Sequence, residues 1–408
     1  MDLLNLNSFL RFSYFLKFKN PDYRFDMSGI DRGRFNRIDE EALIDRGIKL
    51  WIEAIEKNFV TNKKHLVPIS GGLDSRAILA ALLRFTEAEN ITTYTFGTPG
   101  TLDYDIGNRI AGAAGTKHWR FDLTENRYTI EELLDVSKRI HHQTVLFHHP
   151  PIWKIDELFS DFVVWSGFAG GPVSGSHFPA RPSTDPDEAK LSFIKKETFV
   201  KSVLLSNSSE SDFSNIIDFK GLDRNIMTYE EQIDFENRQL KYIAPHLLMD
   251  GFEYKTPFLH SPFFNFMLGI PNRYRHGRYL YKKMLFRLSP ELFKIETKSL
   301  MGLVVNTTRW RIQIRRIRFG IRRRVNRIKP IFFDPNINFV DFDDTIREEP
   351  SLRKVIHDNV MDLKKRNIID WIDIESIWKS HINKRANHAD ALLVLASLEI
   401  HLKAGKRL

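Results

Sequence analysis

A loop near residue 70 carries residue types that bind phosphate. Its sequence, Ile69-Ser70-Gly71-Gly72-Leu73-Asp74-Ser75, lies between a short apolar run and a run rich in alanine and leucine. Paired glycines let backbone N–H groups close around an oxyanion, and the start of a helix adds partial positive charge. The two hydroxyls can donate hydrogen bonds, and the carboxylate can hold Mg²⁺ against a polyphosphate. The pattern predicts a polyphosphate site, with an ordinary capped glycine turn as the alternative.

The elements around this loop alternate between strand and helix. Strands are predicted at 65–69, 91–96, 118–122 and 161–166, and helices at 40–59, 76–83, 104–113, 129–141 and 151–158. This alternation predicts an α/β fold with a parallel sheet and helices on both faces. Ligands of such sheets lie at the carboxyl ends of the strands, which here are Ser70, Phe96 and Gly167. The remainder, from about residue 190, is mostly helical in pattern, and 350–408 predicts two or three helices.

Composition is typical of a soluble intracellular protein. The 408 residues are 42% hydrophobic and include 32 Phe, enough for two or three units with their own cores. The absence of cysteine excludes disulfides, thiolate metal sites and a cysteine nucleophile in this chain. The first eleven residues are too polar for a signal peptide, and no run of 18 apolar residues occurs. A cytoplasmic location is therefore expected.

The net charge of +9 is concentrated in residues 309–329, which hold nine Arg and one Lys without an acidic residue. An apolar residue recurs every three to four positions, which predicts one amphipathic helix. The stripe consists of Trp310, Ile314, Ile317, Ile321, Val325 and Ile328. Three interpretations compete: a helix packed on the protein with a solvated basic face, a helix on an anionic membrane, and a nucleic-acid contact. The first is favoured and the last is least favoured.

Several motifs in order make the chain resemble the synthetase domain of the asparagine synthetases and β-lactam synthetases. The loop at 70–75 resembles the Ser-Gly-Gly-Xaa-Asp-Ser loop of the ATP pyrophosphatases rather than the Gly-Lys-Ser/Thr P-loop. Further blocks similar to the family's motifs lie at 96–103, 115–118, 249–260, 283–287 and 297–303. Together they cover roughly 45–303. The resemblance implies an ATP pyrophosphatase fold with additional C-terminal helices.

The resemblance also implies a chemistry, in which a carboxylate attacks the α-phosphate of ATP and an amine then displaces AMP. Lys283 and Lys298 would stabilise charge on the phosphates. ATP would be held by Val67, Ser70, Gly71, Gly72, Asp74, Ser75, Phe96 and Gly167. Magnesium would be bound by Asp74 and Asp103.

This sequence departs from the family pattern at the acceptor loop and near its start. Phe168 and Gly171 stand where the family has a substrate glutamate and a second metal aspartate, and His260 replaces an aspartate after Pro-Phe-Leu. Glutamine-dependent members begin with a glutaminase domain and a cysteine nucleophile. We interpret residues 1–40 as a separate N-terminal segment. One interpretation of this segment is that it is a relic of the glutaminase domain. The histidine pairs 141–142 and 148–149 are expected to contact substrate or pack, with metal binding as the lesser alternative.

These observations predict an ATP-dependent, adenylate-forming amide synthetase that acts on a carboxylate other than free aspartate, in glycan or secondary-metabolite synthesis. Ammonia or another amine would be the donor, from solution or from a separate glutaminase subunit. The alternatives are ammonia-dependent asparagine synthesis and a catalytically inactive nucleotide-binding or scaffolding protein. We divide the chain into 1–40, a synthetase domain at 41–303, a basic helix at 304–330 and a helical region at 331–408. A peripheral membrane location through 309–329 is a further expectation.

Overall fold

The structure, a computed structural model, describes residues 2–328 and 333–408, apart from the side chains at 323 and 326–328. Its centre is a sheet of five strands: β1 (Lys64–Pro68), β2 (Ile91–Gly97), β3 (Lys117–Asp122), β4 (Phe162–Trp165) and β5 (Glu253–Lys255). Their order in the sheet is β3-β2-β1-β4-β5, and every neighbouring pair is parallel. The predicted α/β class with a parallel sheet is confirmed. Strand β5 escaped prediction because three residues carry no periodic signal.

The helices surround this sheet and extend the chain beyond it. The first half contains α1 (Leu3–Phe12), α2 (Glu40–Asn58), α3 (Asp74–Leu82), α4 (Leu102–Ala114), α5 (Ile130–Arg139), α6 (Ile152–Phe159), α7 (Gly170–Ser174) and α8 (Pro186–Glu197). The middle contains α9 (Glu210–Ser214), α10 (Tyr229–Ile233), α11 (Ala244–Leu247), α12 (Ser261–Gly269), α13 (Asn272–Arg275), α14 (Tyr279–Leu288) and α15 (Pro290–Phe293). A π-helical stretch, Asp234–Ile243, joins α10 to α11.

The C-terminal part contains α16 (Arg309–Ile328), α17 (Phe342–Glu348), α18 (Pro350–Arg366), α19 (Ile374–Ile382) and α20 (Ala389–Lys403). The three helices after residue 350 agree with the expectation for that region. Most of α20 is buried, and its leucines pack against α1, α5 and α18 in a core that draws on both ends of the chain. A second core packs α2, α3, α12 and α14 against the sheet. The domain boundaries proposed from the sequence stay a prediction.

Local sequence explains the elements that position the loop at 70–75. Both faces of β1 are covered, and Leu66 and Val67 are fully buried, as expected for a central parallel strand. Asp39 is the N-cap of helix α2, and its carboxylate accepts a hydrogen bond from the Ala42 N–H at 2.9 Å. The helix is then held against α3 by Trp51, whose indole N–H donates to the Ala77 carbonyl at 3.2 Å.

The basic segment is helical, as predicted, but the favoured interpretation of how it packs is wrong. Its apolar stripe does not lie on the protein, because Trp310, Ile314, Ile317 and Ile321 are all exposed. The opposite face makes the contacts, through the buried Phe319. Lys329 lies outside the described residues. Among the described residues, no helix is both long enough and apolar enough to cross a bilayer.

Candidate functional site

The site lies where the strand order reverses. The chain runs from β1 outward to β2 and β3, then returns to the other side of β1 to form β4 and β5. In open parallel sheets, this reversal leaves a crevice beyond the carboxyl ends of the two strands beside it. Those ends are the loop after β1, residues 69–73, and the loop after β4, residues 166–169. The predicted phosphate loop therefore lies at the edge where ligands of this architecture bind.

The first loop is tight and leads directly into α3. The Gly72 N–H donates to the Ser70 hydroxyl at 3.2 Å. A Cβ atom at Gly71 would lie 2.9 Å from the Leu102 carbonyl oxygen and 3.1 Å from the Lys298 Cβ, so only glycine permits this approach. Among the described residues, no side chain caps the start of α3. The N–H groups of its first turn are thus not held by a capping side chain, which suits an anion.

The loop after β4 packs against the start of α3 through glycines. A Cβ atom at Gly167 would lie 3.4 Å from the Asp74 Cβ and 3.6 Å from the Ser75 nitrogen. At Gly170 the same added atom would lie 2.8 Å from the Asp74 carboxyl carbon. Of the residues predicted to hold ATP, the structure thus brings together Ser70, Gly71, Gly72, Asp74, Ser75 and Gly167.

Two further predicted contacts lie at the ends of β1 and β2. Val67 is buried in β1, and its side chain belongs to the core. Phe96 is half-buried and stacks on Phe339 with ring centres 6.1 Å apart. Residues 335–339 cross this end of β2, where the Thr98 hydroxyl donates to the Phe339 carbonyl at 2.6 Å. The role of each residue in holding adenosine stays a prediction.

Lys298 lies on the phosphate loop. Its backbone N–H donates to the Gly71 carbonyl at 3.0 Å, and the Thr297 hydroxyl donates to the same oxygen at 2.9 Å. Its ammonium group contacts the carboxylate of Asp103 and the amide oxygen of Asn338. Two of the predicted site residues, Lys298 and Asp103, are therefore an ion pair at the mouth of the loop.

A buried arginine positions this segment. Arg76 is fully buried in α3, and its guanidinium donates to the carbonyls of Leu292, Ile295 and Glu296 at 3.2, 3.0 and 2.8 Å. Burial lowers its pKa to about 10, so it stays charged at neutral pH. The residue that follows the phosphate motif thus holds the chain that delivers Lys298 to Gly71.

The sequence did not reveal that Arg278 reaches Asp74. The guanidinium of Arg278 contacts the Asp74 carboxylate, and the Tyr281 hydroxyl donates to the same carboxylate oxygen at 3.2 Å. Burial, followed by the charge of Asp74, raises the pKa of Tyr281 well above its usual value. Arg278 is a left-handed residue with φ of +60°, directly after Gly277 at +61°. That glycine was the one local sign of a turn there.

Lys283 lies elsewhere. Its ammonium pairs with Glu40 on α2 and lies 4.9 Å from the centre of the Tyr279 ring, and the pair with Glu40 raises its pKa. None of its described contacts involves the loop at 70–75. The preceding Lys282 is more buried, and burial together with the charge of Arg278 lowers its pKa. The catalytic assignment of Lys283 stays a prediction. Of the two adjacent lysines, Lys282 is the one that lies on the side of Arg278.

The carboxylates expected to bind Mg²⁺ each have a cationic partner. Asp74 pairs with Arg278, Asp103 pairs with Lys298, and Gly171 supplies no oxygen from a side chain. A divalent cation prefers several oxygen ligands whose charge is not already neutralised. In this arrangement the side chains do not fit a dedicated magnesium site, so the assignment of Asp74 and Asp103 as its ligands stays a prediction.

A histidine lies beside Gly171. His177 shares a 2.9 Å hydrogen bond between its Nδ1 and the Asp234 carboxylate, and a Cβ atom at Gly171 would lie 3.8 Å from its Nε2. Asp234 is buried at the start of the π-helical stretch, and His177 is a quarter exposed. Although burial opposes its ionisation, the charge of His177 holds the Asp234 pKa below its usual value. Asp234 thus orients the imidazole of His177 beside Gly171, the position at which this sequence lacks the carboxylate of the family pattern.

Other predicted contacts lie in the core or apart from the loop. Phe168 is fully buried and packs against Tyr23 and Phe25. In the second histidine pair, His149 is buried and His148 is half-buried, and the His149 and His246 ring centres lie 4.0 Å apart. His148 stacks on Phe339 with ring centres 4.7 Å apart, so both members of this pair pack against aromatic rings. His141 lies 3.8 Å from a carboxylate oxygen of Asp22 and equally far from Asp250.

Comparison with known proteins agrees with this geometry. The asparagine synthase family matches residues 49–147, which run from α2 through the phosphate loop to the segment after α5. A protein of Methanocaldococcus jannaschii with the provisional name asparagine synthetase (glutamine-hydrolyzing) 2 is 26% identical over 162 residues. That alignment covers 39% of this chain and 30% of the relative, so the chain matches less than a third of the relative's length. On a parallel sheet with this loop at its point of reversal, the two matches support an asparagine synthetase-like family and show that this part of the chain is similar to the asparagine synthetases.

Proposed function

We propose that the chain is an ATP-dependent ligase that adenylates a carboxylate and transfers the acyl group to an amine. The observation that carries this proposal is the position of Lys298 on Gly71, in the phosphate loop at the reversal of the sheet. A carboxylate oxygen attacks the α-phosphorus of ATP, and the bond to the pyrophosphate oxygen breaks. The amine then attacks the acyl carbon, AMP departs, and the amine loses a proton.

In the first step, the chain must bind and neutralise the departing pyrophosphate. The N–H groups at the start of α3 and the hydroxyls of Ser70 and Ser75 suit its oxygens. Lys298 and Arg278 now contact carboxylates of the same site, and we propose that both turn to the phosphates when ATP binds. Each cation then stabilises negative charge that develops as pyrophosphate leaves. The role predicted for Lys283 is tested in the same assay as those of Lys298 and Arg278.

In the second step, a base must accept the proton of the amine. His177 is oriented by Asp234 in the manner of a general base, and its Nε2 faces the region beside Gly171. Phe168 leaves no carboxylate to bind an amino-acid substrate at its position, which favours an acceptor other than free aspartate. Ammonia-dependent asparagine synthesis and an inactive nucleotide-binding protein remain the alternatives to test.

The exchange of labelled pyrophosphate into ATP tests the proposal, because acyl-AMP formation reverses before the amine arrives. A panel of carboxylic acids, including aspartate and uronic acids, is screened at neutral pH. Exchange that depends on a non-aspartate acid supports the proposal, whereas exchange with aspartate alone supports asparagine synthesis. Protein that binds ATP but exchanges with no acid of the panel supports the inactive alternative.

Variants of the exchange assay test the cations. Lys298→Met should slow exchange at least 100-fold, since a cation on the leaving group contributes about 3 kcal/mol. Lys294→Met is the control, because Lys294 is exposed four residues earlier in the same segment. Lys282→Met and Lys283→Met are compared in parallel. A slow Lys283 variant with a normal Lys282 variant would support the assignment made from the sequence.

A further inference from the structure

Helix α16 presents an apolar stripe to solvent. Trp310, Ile314, Ile317 and Ile321 are exposed to 60, 43, 62 and 55%. They follow one another at intervals of three or four residues, so they form one continuous face, which we call the α16 stripe. Monomeric soluble proteins rarely leave a contiguous apolar face of this length in water, and such faces usually mark an interaction surface.

Contacts on the opposite face of the helix hold the stripe outward. Phe319 is buried, and Ile312 is half-buried on the same side. The Arg315 Nε donates to the Met301 carbonyl at 3.0 Å, and its guanidinium lies 5.1 Å from the centre of the Phe319 ring. Because the protein occupies this face, the α16 stripe is directed away from the body of the molecule.

Positive charge borders the stripe on both sides. At 100° per residue, Arg311 and Arg318 flank it on one side and Arg324 flanks it on the other, and all three are exposed. The segment 309–329 contains ten basic and no acidic residues. An apolar face bordered by arginines fits a surface with an apolar interior and a negatively charged boundary.

We propose that α16 lies on an anionic membrane surface. The α16 stripe would enter the boundary between headgroups and acyl chains, and the arginines would bind lipid phosphates. A helix of 20 residues is about 30 Å long and can lie flat in that boundary. A second copy of the chain fits less well, because two such helices would bring nine arginines each against one another. A nucleic acid would leave the exposed tryptophan and isoleucines without a role.

Docking would also place the candidate site near the membrane. The segment before α16 holds Lys298 on Gly71, and the Met301 carbonyl of that segment accepts from Arg315. The segment after it contacts Lys298 through Asn338. Membrane binding is measured without substrate or ATP, so its outcome is independent of the proposed function.

Sedimentation of the full chain with vesicles tests the proposal. Vesicles of phosphatidylcholine alone are compared with vesicles that contain 30% phosphatidylglycerol, at about 50 mM and 500 mM NaCl. Binding should require the anionic lipid and should weaken at high salt. Tryptophan emission should also shift to shorter wavelength with anionic vesicles, and most of that shift should disappear in Trp310→Phe.

Two sets of variants separate the apolar and charged contributions. Ile317→Glu should weaken binding at least tenfold, whereas Leu204→Glu, at an apolar residue exposed to 68% elsewhere, should not. Replacing Arg311, Arg318 and Arg324 with glutamine should lower the partition coefficient about 100-fold. Replacing the exposed Arg24, Arg37 and Arg385 with glutamine makes the same change in net charge and should have little effect.

Three results would overturn the proposal. The first is no sedimentation with anionic vesicles at low salt. The second is binding that Ile317→Glu leaves unchanged, with no change in Trp310 emission, while RNA of mixed sequence competes; this would support the nucleic-acid interpretation. The third is a chain that does not bind vesicles but self-associates, with Ile317→Glu abolishing the self-association. This result would show that the α16 stripe binds a second copy of the chain.

Discussion

Arg76 connects two parts of the candidate site that lie more than 200 residues apart in the chain. Its guanidinium serves three carbonyls of the segment 292–296, and its helix begins at the phosphate loop. A sequence shows that an arginine follows the motif, but not that it is buried or which carbonyls it meets. The same holds for Arg278 on Asp74, because pairs formed across such a separation depend on the complete fold.

Removal of the Arg76 guanidinium should destabilise the protein. Arg76→Met leaves one buried and two partly buried carbonyl groups without their donor, so the free energy of unfolding should fall by about 3 kcal/mol in urea denaturation. Arg84→Met, at an exposed residue just beyond α3, should change it by less than about 0.5 kcal/mol. Equal stability of the two variants would contradict the role assigned to Arg76.

At the scale of elements, sequence periodicity located the four longer strands and the helices between them within a few residues. It failed for β5, which is too short to show a pattern, and for the orientation of α16. The amphipathic pattern of 309–329 predicts a helix correctly, but it cannot tell which face meets the protein. That depends on Phe319 and Arg315, which lie opposite the stripe. Likewise, motif spacing alone could not show which of the two adjacent lysines in α14, Lys282 or Lys283, lies on the side of Arg278.

Helix α4 offers a matched pair of glycines. A Cβ atom at Gly107 would lie 2.9 Å from the Ile69 carbonyl oxygen and 2.6 Å from the Thr95 hydroxyl, which itself donates to that carbonyl. Apart from its chain neighbours and the backbone of its own helix, no described residue has an atom within 4 Å of the same position at Gly112. Gly107→Ala should therefore lower the free energy of unfolding by about 2 kcal/mol and weaken ATP binding. Gly112→Ala should raise stability by about 0.5 kcal/mol.

Thermal or urea denaturation of both variants measures this difference. Both variants replace glycine with alanine in the same helix, so the gain in helix propensity is the same for both. The difference in their stability therefore measures the close approach of α4 to the phosphate loop. A Gly107→Ala protein as stable as the Gly112→Ala protein would show that α4 does not approach the loop in this way.

At the scale of the whole molecule, several histidines are buried or half-buried in the neutral form. Burial lowers the pKa of His148 and of His401 to about 3 and that of His246 to about 4. In the unfolded chain their pKa is about 6.5, so the unfolded state binds more protons at mildly acidic pH. Their contribution to stability is complete above pH 6.5 and is lost as the pH falls toward about 4 for His246 and about 3 for His148 and His401.

Together these three histidines should lower the free energy of unfolding by about 4 kcal/mol between pH 7.5 and pH 5.5, at about 1.4 kcal/mol each. His401→Gln should reduce that drop by about 1.4 kcal/mol. Urea midpoints at the two pH values measure the effect. A protein equally stable at both would contradict the neutral buried state.

The central claim is that the loop at 70–75, with Lys298 on Gly71, binds the phosphates of ATP. Calorimetric titration with ATP tests it most directly, because it requires neither the acid nor the amine. We predict that the wild-type protein and Lys294→Met bind ATP with equal affinity and that Lys298→Met binds at least tenfold more weakly. Equal affinity of Lys298→Met and wild type, or no binding of ATP by the wild-type chain, would contradict the account.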